Sequence, residues 1–241
     1  MYNSSLDTKV SNYTDIKHIL LNNKKHIMIT FVNPYSYTII DSQTNIIENF
    51  DYIFADGALL VYLNNLFEKE KIIRTSFDFS SIANDVFEHA INENKNCFFI
   101  GGNTQEIELF IKNIKICYPN LKIVGFHNGF LDSSTKQDLF CTLIESKVDY
   151  IIIGMGTPLQ ENLAIELKEK NIDFECIFTC GGFISQTASK VDYYLPIIKK
   201  LGLRWLQRFI LHPHVRKRIL MDYPRFVLKY IYFKIRKNYF N

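Results

Sequence analysis

The stretch Tyr150-Ile151-Ile152-Ile153-Gly154-Met155-Gly156-Thr157-Pro158-Leu159-Gln160-Glu161 passes from an apolar run through a glycine turn into residues of helical period. A short unbroken apolar run bounded by glycine reads as a buried strand, and the segment after it, 158–170, reads as a helix. The pattern recurs on both sides. β-rich runs stand at 26–32, 52–55, 97–100, 122–126 and 176–179, and candidate helices at 13–22, 35–47, 57–66, 80–93, 104–117 and 134–146 separate them. Several of these helices open on Ser, Thr or Asp in a capping position. Such alternation predicts an α/β fold: a Rossmann-like, mostly parallel sheet flanked by helices, with ligands bound beyond the carboxyl ends of the strands.

Those ends are marked by small or acidic residues: Ala55-Asp56-Gly57, Gly101-Gly102-Asn103, Gly154-Met155-Gly156 and Gly181-Gly182. Glycine admits a ligand close to the backbone, and the helix that follows offers unpaired N–H groups to a phosphate. A nucleotide diphosphate suits such a rim. Each turn taken alone reads first as tight strand-to-helix packing, and neither GxGxxG nor a P-loop occurs. Their recurrence on one rim favours a ligand site.

With 241 residues, 47% of them hydrophobic, the chain can bury one substantial core, so a main domain over 1–200 and an appendage over 201–241 are expected. The five cysteines never form a CxxC pair and sit mostly in apolar runs, which predicts buried thiols in a reducing compartment. The first residues lack a basic-then-apolar leader, and no segment approaches the roughly 20 apolar residues needed to span a bilayer. A cytoplasmic location is therefore expected.

Charge is distributed unevenly. Residues 204–241 hold ten Lys/Arg against Asp222 alone, a tail of +9 on a chain of net +3, which leaves −6 for residues 1–203. Its cations interleave with Trp205, Phe209, Tyr223, Phe226, Tyr230, Tyr232, Phe233, Tyr239 and Phe240. This is the composition of a helix lying in the headgroup layer of an anionic membrane. A helix packed on a protein partner and a nucleic-acid patch are the alternatives, and nucleic acid is not expected among the partners. Self-association stays open. His212-Pro213-His214 reads as a solvated turn, not a metal site.

Taken together, Asn33-Pro34, Ala55-Asp56-Gly57, Arg74, Phe99-Ile100-Gly101-Gly102, Tyr118 to Gly125, Gly129-Phe130, Asp149 to Gly156, Pro158-Leu159-Gln160-Glu161, Gly181-Gly182-Phe183 and Leu203 to Arg208, through Pro213 and Arg218, resemble the WecG/TagA/CpsF glycosyltransferases in order and spacing. The resemblance covers residues 25–220. It implies transfer of a sugar from a UDP-sugar to a lipid-diphosphate-linked saccharide during synthesis of capsule, exopolysaccharide or teichoic acid. It also implies a hexosyltransferase or N-acetylhexosaminyltransferase peripheral on the inner face of the membrane, inverting, with no metal or other cofactor. The chain contains no Asp-x-Asp, so helix N-termini and Arg side chains are expected to meet the diphosphate charge.

Carried over residue by residue, the resemblance makes Asp56 the general base, Arg74 a phosphate or transition-state contact and Gln160 a substrate-positioning amide. It places Asn33, Gly57, Gly101, Gly102, Gly154, Gly156, Glu161, Gly182, Arg208 and Arg218 around the substrates. The chemistry suits these types: an attacking hydroxyl must lose a proton, and a departing diphosphate gathers charge. Without the resemblance, Asp56 reads as a helix cap, Arg74 as a surface ion pair, and Gln160 and Glu161 as residues of a helix's first turn. Three departures stand out. Phe31 occupies the place of a family threonine while Thr30 sits one position earlier, Arg74 to Asp78 is one residue short, and Arg204 replaces an acid. The first two motivate the alternative of a non-catalytic nucleotide-sugar-binding or scaffold subunit, and Arg204 suggests a subgroup with a different donor or acceptor.

Overall fold

The computed structural model describes residues 2, 4–11, 14–22, 24–190, 198, 207, 209–210 and 216–240. Six apolar runs become strands: β1 (Ile27–Val32), β2 (Tyr52–Ala55), β3 (Cys97–Gly101), β4 (Ile123–His127), β5 (Tyr150–Gly154) and β6 (Cys176–Thr179). They form one sheet in the order β2-β1-β6-β5-β3-β4, and every neighbouring pair is parallel. Alternate residues of each strand serve opposite cores, as a sheet covered on both faces requires. Met28, Val32, Ile53, Ile151, Ile153 and Ile177 join one cluster, while Ile27, Ile29, Phe31, Cys97, Ile152 and Phe178 join the other.

On the first face lie α1 (Ser4–Ser11), α3 (Pro34–Asp41), α4 (Thr44–Asn49), α5 (Ala58–Phe67), α8 (Ser133–Glu145) and α9 (Leu159–Glu169); on the second lie α2 (Ile16–Leu21), α6 (Ala83–Asn92), α7 (Thr104–Cys117) and α10 (Phe183–Ser189). Asn33, Asn103 and Asp132 form capping boxes that start α3, α7 and α8. Pairs such as Val32 with Ala55 and Gly101 with Gly154 align the strand ends, so the turns beyond them meet on one rim. The single helix expected over 35–47 is broken at Ser42. There the Ser42 hydroxyl donates to the Ile39 carbonyl at 2.7 Å, competing with the helical ladder. Cys97 and Cys176 are buried as expected, but Cys117 and Cys141 lie exposed on helix surfaces.

The boundary expected at residue 200 falls outside the described residues, as do Trp205 and His212 to His214. A π-helical stretch, Arg218–Asp222, leads into α11 (Tyr223–Phe240). Part of the composition expected to face a membrane instead faces the protein. Phe226, Tyr230 and Phe233 are buried in the first core, packed with Tyr2 and Tyr37. That docking accounts for the inward part of the helix's apolar surface; Leu228, Tyr232 and Ile235 stay exposed on its other side.

Two of the tail's cations are paired within the chain. The fully buried Lys234 ammonium lies 2.6 Å from Asp7 and 2.6 Å from Glu68, and Lys237 lies 2.7 Å from Asp7. Tyr230 adds hydrogen bonds to Asp7 and Asn64. Burial alone would push the Glu68 carboxyl up, but Lys234 and Lys237 outweigh it and hold it below its ordinary value. Three helices, α1, α5 and α11, are thereby clamped. Lys234→Met leaves Asp7 buried with half its compensation, so it should lower the unfolding free energy by about 3 kcal/mol in urea titration.

Candidate active site

Two pairs of turns build the rim. At the β1 and β2 ends, the Asp56 N–H donates to the Val32 carbonyl at 2.8 Å, bringing Asn33-Pro34 against Asp56-Gly57. A Cβ on Gly57 would stand 2.7 Å from Pro34 Cδ, so glycine is what allows the two turns to touch. Asp56 is not the cap of α5. Gly57 occupies the N-cap position without a side-chain hydrogen bond, and the Asp56 carboxylate turns to Arg74.

Arg74 organises this half of the rim. Its Nε donates to the Asp56 carbonyl at 2.8 Å, and its Nη2 donates to Asp56 Oδ1 and to Asp78 Oδ2, each at 2.7 Å. Among the described residues no donor is hydrogen-bonded to Asp56 Oδ2, and the side chain is 26% exposed, so this oxygen can take a proton from an incoming hydroxyl. Asp78, at the end of the shortened stretch, also accepts from the Ser76 hydroxyl at 2.7 Å and the Ser80 N–H at 2.8 Å. Burial would push its carboxyl up, but Arg74 and these hydrogen bonds hold it below the ordinary value. The missing residue does not separate Asp78 from Arg74.

Asn33 is partly committed, because its Oδ1 accepts from the Tyr35 and Ser36 N–H groups at 3.0 and 3.2 Å and only its amide N–H groups remain for a ligand. Arg218 reaches the same corner: its guanidinium carbon stands 4.0 Å over the Tyr35 ring, a cation–π contact. Arg208 lies outside the described residues.

The β5 and β6 ends form the other half. Gln160 and Glu161 lie beneath this rim and are almost wholly buried, so the structure does not present Gln160 as a free amide. Gln160 Oε1 accepts from the Gly156 N–H at 3.2 Å and the Gly181 N–H at 3.0 Å, while its Nε2 donates to Glu161 Oε1 at 2.8 Å. Glu161 in turn accepts from the Thr30 hydroxyl at 2.8 Å. Burial pushes the Glu161 carboxyl up, and its hydrogen bonds offset only part of that rise. Thr30 thus has a partner on the face opposite Phe31, whose ring stacks on Phe54 instead. This buried network was missed, although threonines inside the apolar runs 27–32 and 176–179 were its visible signal.

The glycines divide into two kinds. A Cβ on Gly101 would stand 2.4 Å from the Gly154 carbonyl oxygen, and one on Gly154 would stand 2.9 Å from the Gly181 carbonyl oxygen, so these two let the turns close on one another; at Gly102 an added Cβ would stand 3.1 Å from Glu106 Cβ, and at Gly182 2.9 Å from the flexible end of the Gln186 side chain. Gly156, at φ +78°, has nothing within 4 Å of an added Cβ, and Gly181 is equally open. Open backbone at the rim is where a ligand can approach.

The model of the Glycosyl transferase WecG/TagA/CpsF family matches residues 5–239. The chain is 43% identical over 226 residues, 94% of each chain, to a UDP-Gal:alpha-D-GlcNAc-diphosphoundecaprenol beta-1,4-galactosyltransferase of Shigella boydii. It is 24% identical over 211 residues, 83% of this chain and 77% of the relative, to an N-acetylglucosaminyldiphosphoundecaprenol N-acetyl-beta-D-mannosaminyltransferase of Bacillus subtilis (strain 168).

The two kinds of glycine should respond differently to alanine. Gly101→Ala forces carbonyl contact and should unfold the protein at markedly lower temperature. Gly156→Ala should cost only about 1 kcal/mol of backbone strain in a thermal melt, with its larger effect on ligand binding.

Proposed function

Because this chain belongs to the WecG/TagA/CpsF family of glycosyltransferases, we propose that it transfers a hexose, with galactose the first candidate, from a UDP-sugar to a lipid-diphosphate-linked sugar in the synthesis of a surface polysaccharide. The observation that carries this reading is Asp56, a rim carboxylate oriented through one oxygen by Arg74. The 43% identity to the Shigella boydii galactosyltransferase over 94% of both chains supports the choice of sugar and acceptor.

In the proposed reaction the acceptor hydroxyl attacks the anomeric carbon while Asp56 Oδ2 takes its proton. The anomeric C–O bond to the diphosphate breaks and UDP leaves with the bonding electrons. A single displacement of this kind on an α-linked nucleotide sugar gives a β linkage, as in the names of both relatives. Arg74 sets the direction of the carboxylate. Diphosphate charge is met by Arg218 and by those rim-turn N–H groups that Gln160 does not occupy, a metal-independent arrangement in keeping with a sequence that lacks Asp-x-Asp.

The outward face of α11 gives the reading a membrane component. Leu228 and Tyr232 are 72% and 62% exposed, and Ile235, Leu220 and Met221 extend the strip among exposed Arg225, Lys229 and Arg236. No helix of the described residues is long and apolar enough to cross a membrane, so this strip is proposed to lie in the headgroup layer on the inner face. Truncating the helix would strip Phe226 and Tyr230 from the core; only its outer face can be changed cleanly.

Two measurements check the proposal. UDP release is followed with GlcNAc-diphospholipid in liposomes and a panel of UDP-sugars, with and without EDTA. UDP-galactose should be the best donor, EDTA should leave the rate unchanged, and Asp56→Asn should lose at least about 100-fold in turnover; an Asn variant that turns over normally removes Asp56 as the base. Changing Arg225, Lys229 and Arg236 to Glu should abolish sedimentation with anionic vesicles, since each cation contributes about 1 kcal/mol at such a surface. Undiminished sedimentation would exclude this face.

A further inference from the structure

Under the rim, one carboxyl oxygen gathers the donors around it. Glu161 Oε1 accepts from Thr30 Oγ1 at 2.8 Å, Gln160 Nε2 at 2.8 Å and Thr157 Oγ1 at 3.1 Å. Thr179, 2.8 Å from Thr30 Oγ1, must donate to it when Thr30 donates to Glu161. Glu161 Oε2 is buried without a hydrogen-bond partner, and no salt bridge reaches Glu161 among the described residues. A carboxylate in that setting would be costly, so the group is suited to act as a neutral acceptor.

The consequence passes through Gln160. Its amide oxygen takes the Gly156 and Gly181 N–H groups together, tying the turn after β5 to the turn after β6. An amide rotated by half a turn would set its NH2 against those two donors. Glu161 prevents this by offering the Gln160 NH2 an acceptor on the opposite side. We propose that Glu161 is a positioning residue of the transfer site: by fixing the orientation of the Gln160 amide, it holds the Gly156 and Gly181 turns as one lip against the donor sugar. The proposal rests on the rim being the site of transfer. It reassigns Glu161 from contact with substrate to control of the backbone that makes the contact.

The test compares Glu161→Gln, Glu161→Met and Gln160→Met in the full chain. Backbone amide exchange at Gly156 and Gly181 is followed by NMR without substrate, with amides of β3 and β5 as a control for folding, and donor KM and kcat are then measured. Glutamine keeps a neutral carbonyl in place of Oε1, so Glu161→Gln should retain slow exchange at both glycines and wild-type kinetics with an unchanged pH profile. Glu161→Met keeps the volume but removes the acceptor. It should speed exchange at Gly156 and Gly181 alone and raise donor KM about tenfold, the effect of one buried hydrogen bond, with a smaller change in kcat. Gln160→Met should match it, and the double variant should be no worse than either single change, since both act through one amide. The proposal is overturned if Glu161→Gln is as inactive as Asp56→Asn, or if Glu161→Met leaves both amides protected and donor KM unchanged. Because Glu161→Gln is isosteric, its comparison with wild type remains decisive even if the methionine variants fail to fold. Should wild type transfer no sugar, the exchange measurement still reads the lip, and that outcome counts against the transferase reading alone.

Discussion

A parallel sheet covered by helices on both faces has no wet side, so a polar side chain within it must find its partner inside the protein. Thr30 and Thr179 sit in adjacent strands under this constraint, and they meet it through each other and Glu161. The constraint also orders the rim. Polar chemistry is pushed to the carboxyl ends of the strands, where Asp56 and Arg74 occupy one side and the glycine turns the other. What lies just beneath, in the last polar layer before the apolar core, sets the shape of what lies above.

The same logic accounts for the two-sided character of the C-terminal helix. Aromatic residues at Phe226, Tyr230 and Phe233 dock on the first core, and the lysine that comes inward with them, Lys234, is tolerated because Asp7 and Glu68 wait for it. Arg225, Lys229 and Arg236 face outward among exposed apolar residues. A composition that looks uniform along the chain is divided by helical geometry into an inner adhesive and an outer charged strip.

The strands were legible because each is a short apolar run ending in glycine or a polar turn, and their number and parallel arrangement followed from the alternation with helices. α1 and α10 were not legible. Ser4 to Ser11 is mostly polar, and its helix is secured by distant contacts such as the Lys9 ammonium donating to the Ile47 carbonyl. Phe183 to Ser189 is too short to display a period. At the site, the position of Asp56 could be read, but its freedom from capping could not, because that depends on Arg74 arriving from 18 residues away. Gln160 and Glu161 could be picked out as a pair, yet their burial arises from how α9 settles over β1 and β6. Spacing along α9 carries no information about Thr30 of β1, 131 residues from Glu161.

The bond between Asp7 and Lys237 spans 230 residues, nearly the length of the chain. Among the described residues, the carboxylate that anchors α1 is thus answered only by cations near the other end of the sequence. Removing both Lys234 and Lys237 would leave Asp7 buried without a counter-charge, and α1 is then expected to peel from the core before the sheet is disturbed, a local opening and not a global one.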